Sequence, residues 1–274
     1  MNGMAAEQLG FRPLSESMGV EVTGIDLRRP ISQEQQRRLS DAFDRHHLLL
    51  VRGQHITPEQ QAAFCRIFGQ IALRERNRIK NEVAETQHVS NKREDGVFGQ
   101  GELDFHIDQL FQEEPLNALI LYAIEVPDEG GDTRFSNAMA AYEQLPEAVR
   151  RRADGLQCRH AYMYSGDLAK SWNMEQADAN APTAVHPMMW QHPPSGRKAV
   201  WVNKLTTVEV LGMPADEAAE LMERVRKPLY EERNCYTHKW RPGDLLLWNN
   251  KTLQHARTPF DNSQPRTLRR TPIV

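Results

Sequence analysis

The sequence predicts an α+β fold, a strand-rich sandwich or barrel with helices decorating its outside. Three observations predict it. Strand-like runs recur at short spacing from about residue 85: 86–89, 118–126, 133–136, 157–164, 199–202, 235–240, 245–248 and 268–273. Turn signals separate them, Pro-Asp-Glu-Gly-Gly at 127–131, Pro-Pro-Ser-Gly at 193–196 and Arg-Pro-Gly-Asp at 241–244. Only two helical stretches, near 137–153 and 214–233, interrupt this pattern. No internal repeat or heptad run divides the chain, and sandwiches and barrels of this size are often one unit. Residues 1–274 are therefore read as a single domain.

The elements before residue 85 follow the same logic. Residues 19–27 alternate apolar and polar, the pattern of a half-buried strand. Ser32-Gln33-Glu34 opens a helix through about Arg45, with Leu39, Ala42 and Phe43 on its apolar stripe. Residues 48–51, Leu-Leu-Leu-Val, form a short apolar strand stopped by Gly53. Thr57-Pro58-Glu59 supplies a capping hydroxyl and a proline at the first helical position, and that helix is read as running to Gly69. Residues 166–198, rich in Pro, Asn, Asp and His, fit no element and read as a long loop, functional or disordered.

Charge and composition narrow the function. With 34 Lys+Arg against 37 Asp+Glu the net charge is −3, which disfavours a nucleic-acid partner held by a basic surface. No apolar run approaches the roughly 18 residues of a membrane span, and no signal peptide is apparent. Cys65, Cys158 and Cys235 are few, odd in number and far apart, as free thiols in a reducing compartment would be. The expectation is a cytoplasmic protein with neither nucleic-acid nor membrane partner.

The densest chemical signal is Asp104-Phe105-His106-Ile107-Asp108 in a strand-like context. Residues i and i+2 of a strand share a face, so His106 and Asp108 project side by side. An imidazole and a carboxylate so placed are two of the three ligands of a facial iron(II) triad, although His-x-Asp alone arises by chance in many proteins. His255 is the best third candidate. It follows the 245–248 strand and Asn249-Asn250 and precedes Arg266-Thr-Leu-Arg-Arg270. In a final strand there, Arg266, Leu268 and Arg270 share a face and Arg269 points away, onto solvent. Two guanidiniums beside apolar residues are costly unless anions meet them, and Arg suits carboxylates. A zinc hydrolase built on the same three side chains, or a catalytically silent anion-binding module, remains compatible with these residues alone.

Taken together, His106-x-Asp108, Gly130-Gly131-Asp132-Thr133, Trp248-Asn249-Asn250 with His255, and Arg266 with Arg270 resemble the TauD/TfdA family of Fe(II)- and 2-oxoglutarate-dependent dioxygenases. The resemblance runs from about residue 15 to 272 and includes 48–51, Gly53-Gln54 and Phe68-Gly69. It implies a double-stranded β-helix (jelly-roll) core with helices outside. It also implies Fe(II) held by His106, Asp108 and His255, with O2 and 2-oxoglutarate consumed and succinate and CO2 released. Thr133 and Arg266 match the positions that hold the distal carboxylate of 2-oxoglutarate, and Arg270 the arginine near both co-substrate and the substrate's anionic group. Asp108 stands where a halogenase variant would carry a small residue, so hydroxylation is favoured. The implied substrate is a small anion: carboxylate, sulfonate or amino-acid-derived. The family's habit is a dimer or tetramer.

Departures bear on that substrate. The family often reads Trp-Asp-Asn-Arg where this chain has Trp248-Asn249-Asn250-Lys251. The position of the taurine enzyme's sulfonate-binding histidine falls on Arg74, and that of the Asn four before its first iron ligand falls on Glu102. Taurine is thereby disfavoured, with Arg74 and Asn91 the substrate-contact candidates from the early part of the chain. Trp248 and Phe105 read as core packing, and Arg150-Arg151-Arg152, like Arg269, as solvated surface.

Overall fold

Leu48, Leu49, Leu50 and Val51 are all buried because both faces of their strand are covered. That strand sits inside a sandwich, described by a computed structural model over residues 8–73, 85–97, 101–162 and 181–274. The chain begins with β1 (Gly10–Pro13), β2 (Val20–Thr23), α1 (Gln33–His46), β3 (Leu48–Val51) and α2 (Pro58–Cys65). Next come β4 (Gln87–Ser90), β5 (Leu103–His106), β6 (Ala118–Glu125), β7 (Thr133–Asn137), α3 (Ala138–Gln144) and α4 (Glu147–Ala153). Then follow β8 (Gln157–Ala161), β9 (Thr183–Pro187), β10 (Met189–Gln191), β11 (Lys198–Val200), β12 (Thr207–Val210) and α5 (Ala215–Arg226). The chain closes with β13 (Cys235–His238), β14 (Leu245–Asn249), β15 (Leu253–Arg257) and β16 (Thr267–Ile273).

Seven strands form the major sheet in the order β1-β2-β3-β14-β6-β16-β4, and four form the minor sheet, β13-β7-β15-β5. Within them only β2 and β3 pair in parallel. The two-residue period of the strands sorts the core into layers. Leu48, Leu50, Leu119, Leu121, Leu246, Trp248 and Leu268 meet Phe135 and Leu253 between the two sheets. Leu49, Val51, Ile120, Tyr122, Leu245 and Leu247 point the other way, against Leu39 and Phe43 of α1 and Phe64 of α2. This is the jelly-roll with outer helices.

Both early helices start where their caps require. Ser32 Oγ accepts the Gln35 N–H while Gln35 Oε1 accepts the Ser32 N–H, and Thr57 and Gln60 repeat the exchange. The second helix ends at Cys65, four residues short of Gly69. The 137–153 stretch splits at Pro146, because the residue before a proline is driven from the helical region and Leu145 is extended (ψ 137°). The strands β1, β12 and β15 carried no clear sequence signal. Of residues 166–198, those described include β9 and β10. Among the described residues no helix is long and apolar enough to cross a membrane.

Candidate active site

The minor sheet brings the two histidines together by register. β15 pairs antiparallel with β5 so that His255 stands directly opposite His106, with ring centroids 4.2 Å apart. Opposed residues of an antiparallel pair project on one face, so the register itself makes the pair. Trp248 (centroid 4.9 Å) and Phe135 (6.4 Å) back the His255 ring from the inter-sheet core. Asp108 lies two residues beyond the end of β5. One ligand atom from each of His106, Asp108 and His255 falls within 4.8 Å of the others.

This donor set fits a divalent cation such as Fe(II). His106 Nδ1–H donates to the Asp104 carbonyl (2.8 Å), so the Nε2 lone pair is the one aimed at Asp108 Oδ1, 3.1 Å away. Two electron-rich atoms at that separation need a proton or a metal ion between them. His255 Nε2 is 3.8 Å from the same oxygen. Burial, helped by the adjacent His106, pushes His255 down to about 3, so its imidazole is neutral, as a ligand must be. Burial alone would raise Asp108, but Arg270 and the His106 contact outweigh it and hold the carboxyl well below the usual range. Two neutral imidazoles and one carboxylate on one face suit Fe(II) with positions left open for a chelating co-substrate and O2.

Beyond the triad, the two C-terminal arginines part company. Arg270 Nη2 donates to Asp108 Oδ2 at 2.5 Å and Nη1 to Gln87 Oε1 at 3.1 Å. Arg266 lies just before β16, 3% exposed; Nε donates to the Gly131 carbonyl (2.9 Å), and no carboxylate among the described residues pairs with it. Burial, and secondarily nearby Arg257, depresses its pKa, so a bound anion would relieve both. The glycines at 130 and 131 make this approach possible. Gly131 has φ +64°, and a Cβ there would stand 2.9 Å from Arg266 Nε; a Cβ on Gly130 would meet the Pro259 carbonyl oxygen at 2.3 Å. Two residues on, buried Thr133 accepts from Trp240 Nε1–H (2.9 Å), which leaves its own hydroxyl proton to donate.

Two expectations change and one lies out of reach. Asn91 spends its side chain on the main chain around Arg266: Oδ1 accepts the Arg266 N–H, and Nδ2 donates to the carbonyls of Asn262 and Gln264. Its visible task is therefore to place Arg266. Arg269 does point away from Arg270, but onto α2 rather than solvent. It is buried, donates to Gln61 Oε1 and the Ile56 carbonyl, and lies 4.8 Å from the Tyr122 ring centroid. Arg74 lies outside the described residues. Gln87, which holds Arg270, had no role in the sequence reading, and Asn250, which holds Asp108, entered it only within the Trp248-Asn249-Asn250 motif; one Gln in the strand Gln87–Ser90 announces nothing by itself.

Residues 10–271 match the family model described as taurine catabolism dioxygenase TauD, TfdA family. The chain belongs to this family. One family relative, the alpha-ketoglutarate-dependent 2,4-dichlorophenoxyacetate dioxygenase of Cupriavidus pinatubonensis, is 30% identical over 94% of this chain and 95% of its own. The alpha-ketoglutarate-dependent sulfate ester dioxygenase of Pseudomonas putida is 26% identical over 98% of this chain and 90% of its own. Among solved structures, AAD-2 in complex with Mn(II) and N-oxalylglycine superposes with a TM-score of 0.82 at 27% identity, covering 97% of both chains. The chain is thus a non-haem iron, 2-oxoglutarate-dependent dioxygenase that uses Fe(II), 2-oxoglutarate and O2. That membership sets aside the zinc-hydrolase and silent-module readings.

Proposed function

We propose that this dioxygenase hydroxylates an aliphatic C–H of a small anionic substrate, a carboxylate, sulfonate or sulfate ester, and that residues 1–274 act as one catalytic domain in the cytoplasm. The observation that carries the reading is the three-ligand cluster with the Arg270 guanidinium on its carboxylate, alongside a second buried guanidinium, Arg266, just before the same strand. His106, Asp108 and His255 hold the iron in this reading. Bound iron supplies the oxygen activation that couples oxidative decarboxylation of 2-oxoglutarate to substrate hydroxylation. The overall balance is R–H, O2 and 2-oxoglutarate to R–OH, succinate and CO2.

The remaining residues bind, orient and keep the site dry. Arg266 presents its guanidinium and Thr133 its hydroxyl to the distal carboxylate of 2-oxoglutarate, in a pocket where an unpaired cation is unfavourable. Asn91 holds the Arg266 main chain, and Gly131 lets its side chain through. Arg270, anchored by Gln87, meets the substrate's anionic group while its other nitrogen keeps Asp108 ionised. Relatives named for 2,4-dichlorophenoxyacetate and for sulfate esters support an anionic substrate.

The test is a panel of aryloxyacetates, alkyl sulfates, sulfonates and N-acyl amino acids incubated with enzyme, Fe(II) and 2-oxoglutarate under 18O2. The expected result is one class that stimulates succinate formation and gains a single labelled oxygen. Stimulation by neutral or cationic compounds alone would contradict the anionic reading.

A further inference from the structure

Asp108 is the one ligand of the cluster that no strand holds. β5 ends at His106 and is the edge of its sheet, so the main chain at 108 has no ladder partner among the described residues. Directly after it the backbone turns through Gln109, a non-glycine residue at φ +62°. A carboxylate there would swing with its own backbone unless something else fixed it.

Asn250 does so from the turn between β14 and β15. Its Oδ1 accepts the Asp108 N–H at 2.9 Å, and its Nδ2 donates to the Asp108 carbonyl at 3.0 Å and the Leu116 carbonyl at 2.9 Å. Both backbone groups of the ligand residue are thus bonded by one side chain. Asn250 is itself fully buried, and its N–H donates to the Asn117 carbonyl (2.9 Å). The same turn leads into β15 and His255, so this amide ties the segment bearing one ligand to the segment bearing another. Only an amide of this length serves. Asp would keep the acceptor but set oxygen against two carbonyls, Ala would leave three buried backbone groups short of a partner, and Gln is a methylene too long.

We infer that Asn250 is the positioning residue of the iron site's carboxylate, fixing the Asp108 main chain so that its side chain meets His106 and His255 in ligating geometry. The inference rests on the triad reading above. A bland alternative is that Asn250 merely stabilises the 107–117 segment. Asn249 separates the two, because its Oδ1 caps the same turn through the N–H groups of Lys251 and Thr252 and has no hydrogen bond to Asp108.

The experiment is anaerobic titration of the metal-free full chain with Mn(II), free ion being read by electron paramagnetic resonance, with thermal unfolding run in parallel. Asn250→Ala and the isosteric Asn250→Asp should bind Mn(II) 10- to 100-fold more weakly than wild type, the usual effect of removing an outer partner of a ligand. Asn249→Ala should lower the unfolding temperature yet keep Mn(II) affinity within about threefold of wild type, far below that outer-partner effect. Wild-type affinity in either folded Asn250 variant overturns the inference while leaving the triad standing. An equal loss in Asn249→Ala also overturns it, since turn stability would then explain the effect. Unchanged affinity in His106→Ala would bring down the triad reading itself, and this inference with it.

Discussion

Arg270 reaches across from β16 to Asp108, Nη2 to Oδ2, while Gln87 accepts from its other terminal nitrogen. The sequence reading placed this arginine beside Arg266 on one strand face and gave it an external anion. The structure gives it an internal one first. A single guanidinium that steadies the ligand carboxylate and, in the proposed function, also meets the substrate's anion would link substrate charge to the metal site.

That link has a measurable consequence. Gln87→Leu should remove one hydrogen bond to a charged group, about 1.5–3 kcal/mol, and raise the substrate KM by about 10- to 100-fold. Metal affinity should change little, because Arg270 Nη2 keeps its contact with Asp108. Arg270→Ala should weaken both, and substrate-stimulated 2-oxoglutarate consumption should fall much further than the slow substrate-free rate. Equal falls in the two rates would assign Arg270 to the co-substrate alone.

Arg266 makes the sharper co-substrate test. Arg266→Ala should raise the 2-oxoglutarate Kd by about 10- to 100-fold, the loss of a charge-assisted pair. Isothermal titration with Mn(II) present checks it without turnover. An unchanged Kd would place the distal carboxylate elsewhere.

Gly131 predicts the same phenotype by a steric route. Gly131→Ala puts a methyl 2.9 Å from Arg266 Nε at a backbone angle that L-residues avoid, a strain of about 1–2 kcal/mol. The expected outcome is a lower unfolding temperature together with a weakened 2-oxoglutarate Kd. Gly155→Ala, at φ +85° with open space around it, should lower stability without touching that Kd.

Stability should also fall on the acid side. Burial holds His255 and His160 down to about 3 and His47 to about 4, so the folded protein refuses protons that the unfolded chain accepts near 6.5. The unfolded state therefore gains protons first as pH drops, and stability declines from about pH 6.5 downward. Each group can contribute up to about 2 kcal/mol by pH 5 at 1.36 kcal/mol per unit. Denaturant melts of metal-free protein from pH 8 to 5 check this; equal stability at pH 7 and 5 would contradict it.

The parts visible in the sequence are those whose signal is local. Ser32 and Thr57 mark helix starts because capping is a three-residue affair, and the apolar 48–51 run marks a strand covered on both sides. His106 and Asp108 stand out by their spacing, and His255, Arg266 and Arg270 through the motif order they share with the TauD/TfdA family. What stayed hidden depends on distant partners. Gln87 and Arg270 are separated by 183 positions, Gln61 and Arg269 by 208, and Asp108 and Asn250 by 142. Arg269 looked like surface because arginine usually is; only the packing of α2 and the segment leading into it on β16 supplies the Gln61 amide and the Ile56 carbonyl that accept it.

The most direct measurement is Fe(II)-dependent succinate release from 2-oxoglutarate in air, wild type against Asp108→Ala, with both shown to be folded. His106, Asp108 and His255 as the iron ligands require succinate from wild type that vanishes on omitting iron, and none above background from Asp108→Ala, with or without chloride. Asp108→Ala releasing succinate at the wild-type rate without chloride would contradict the triad at its centre.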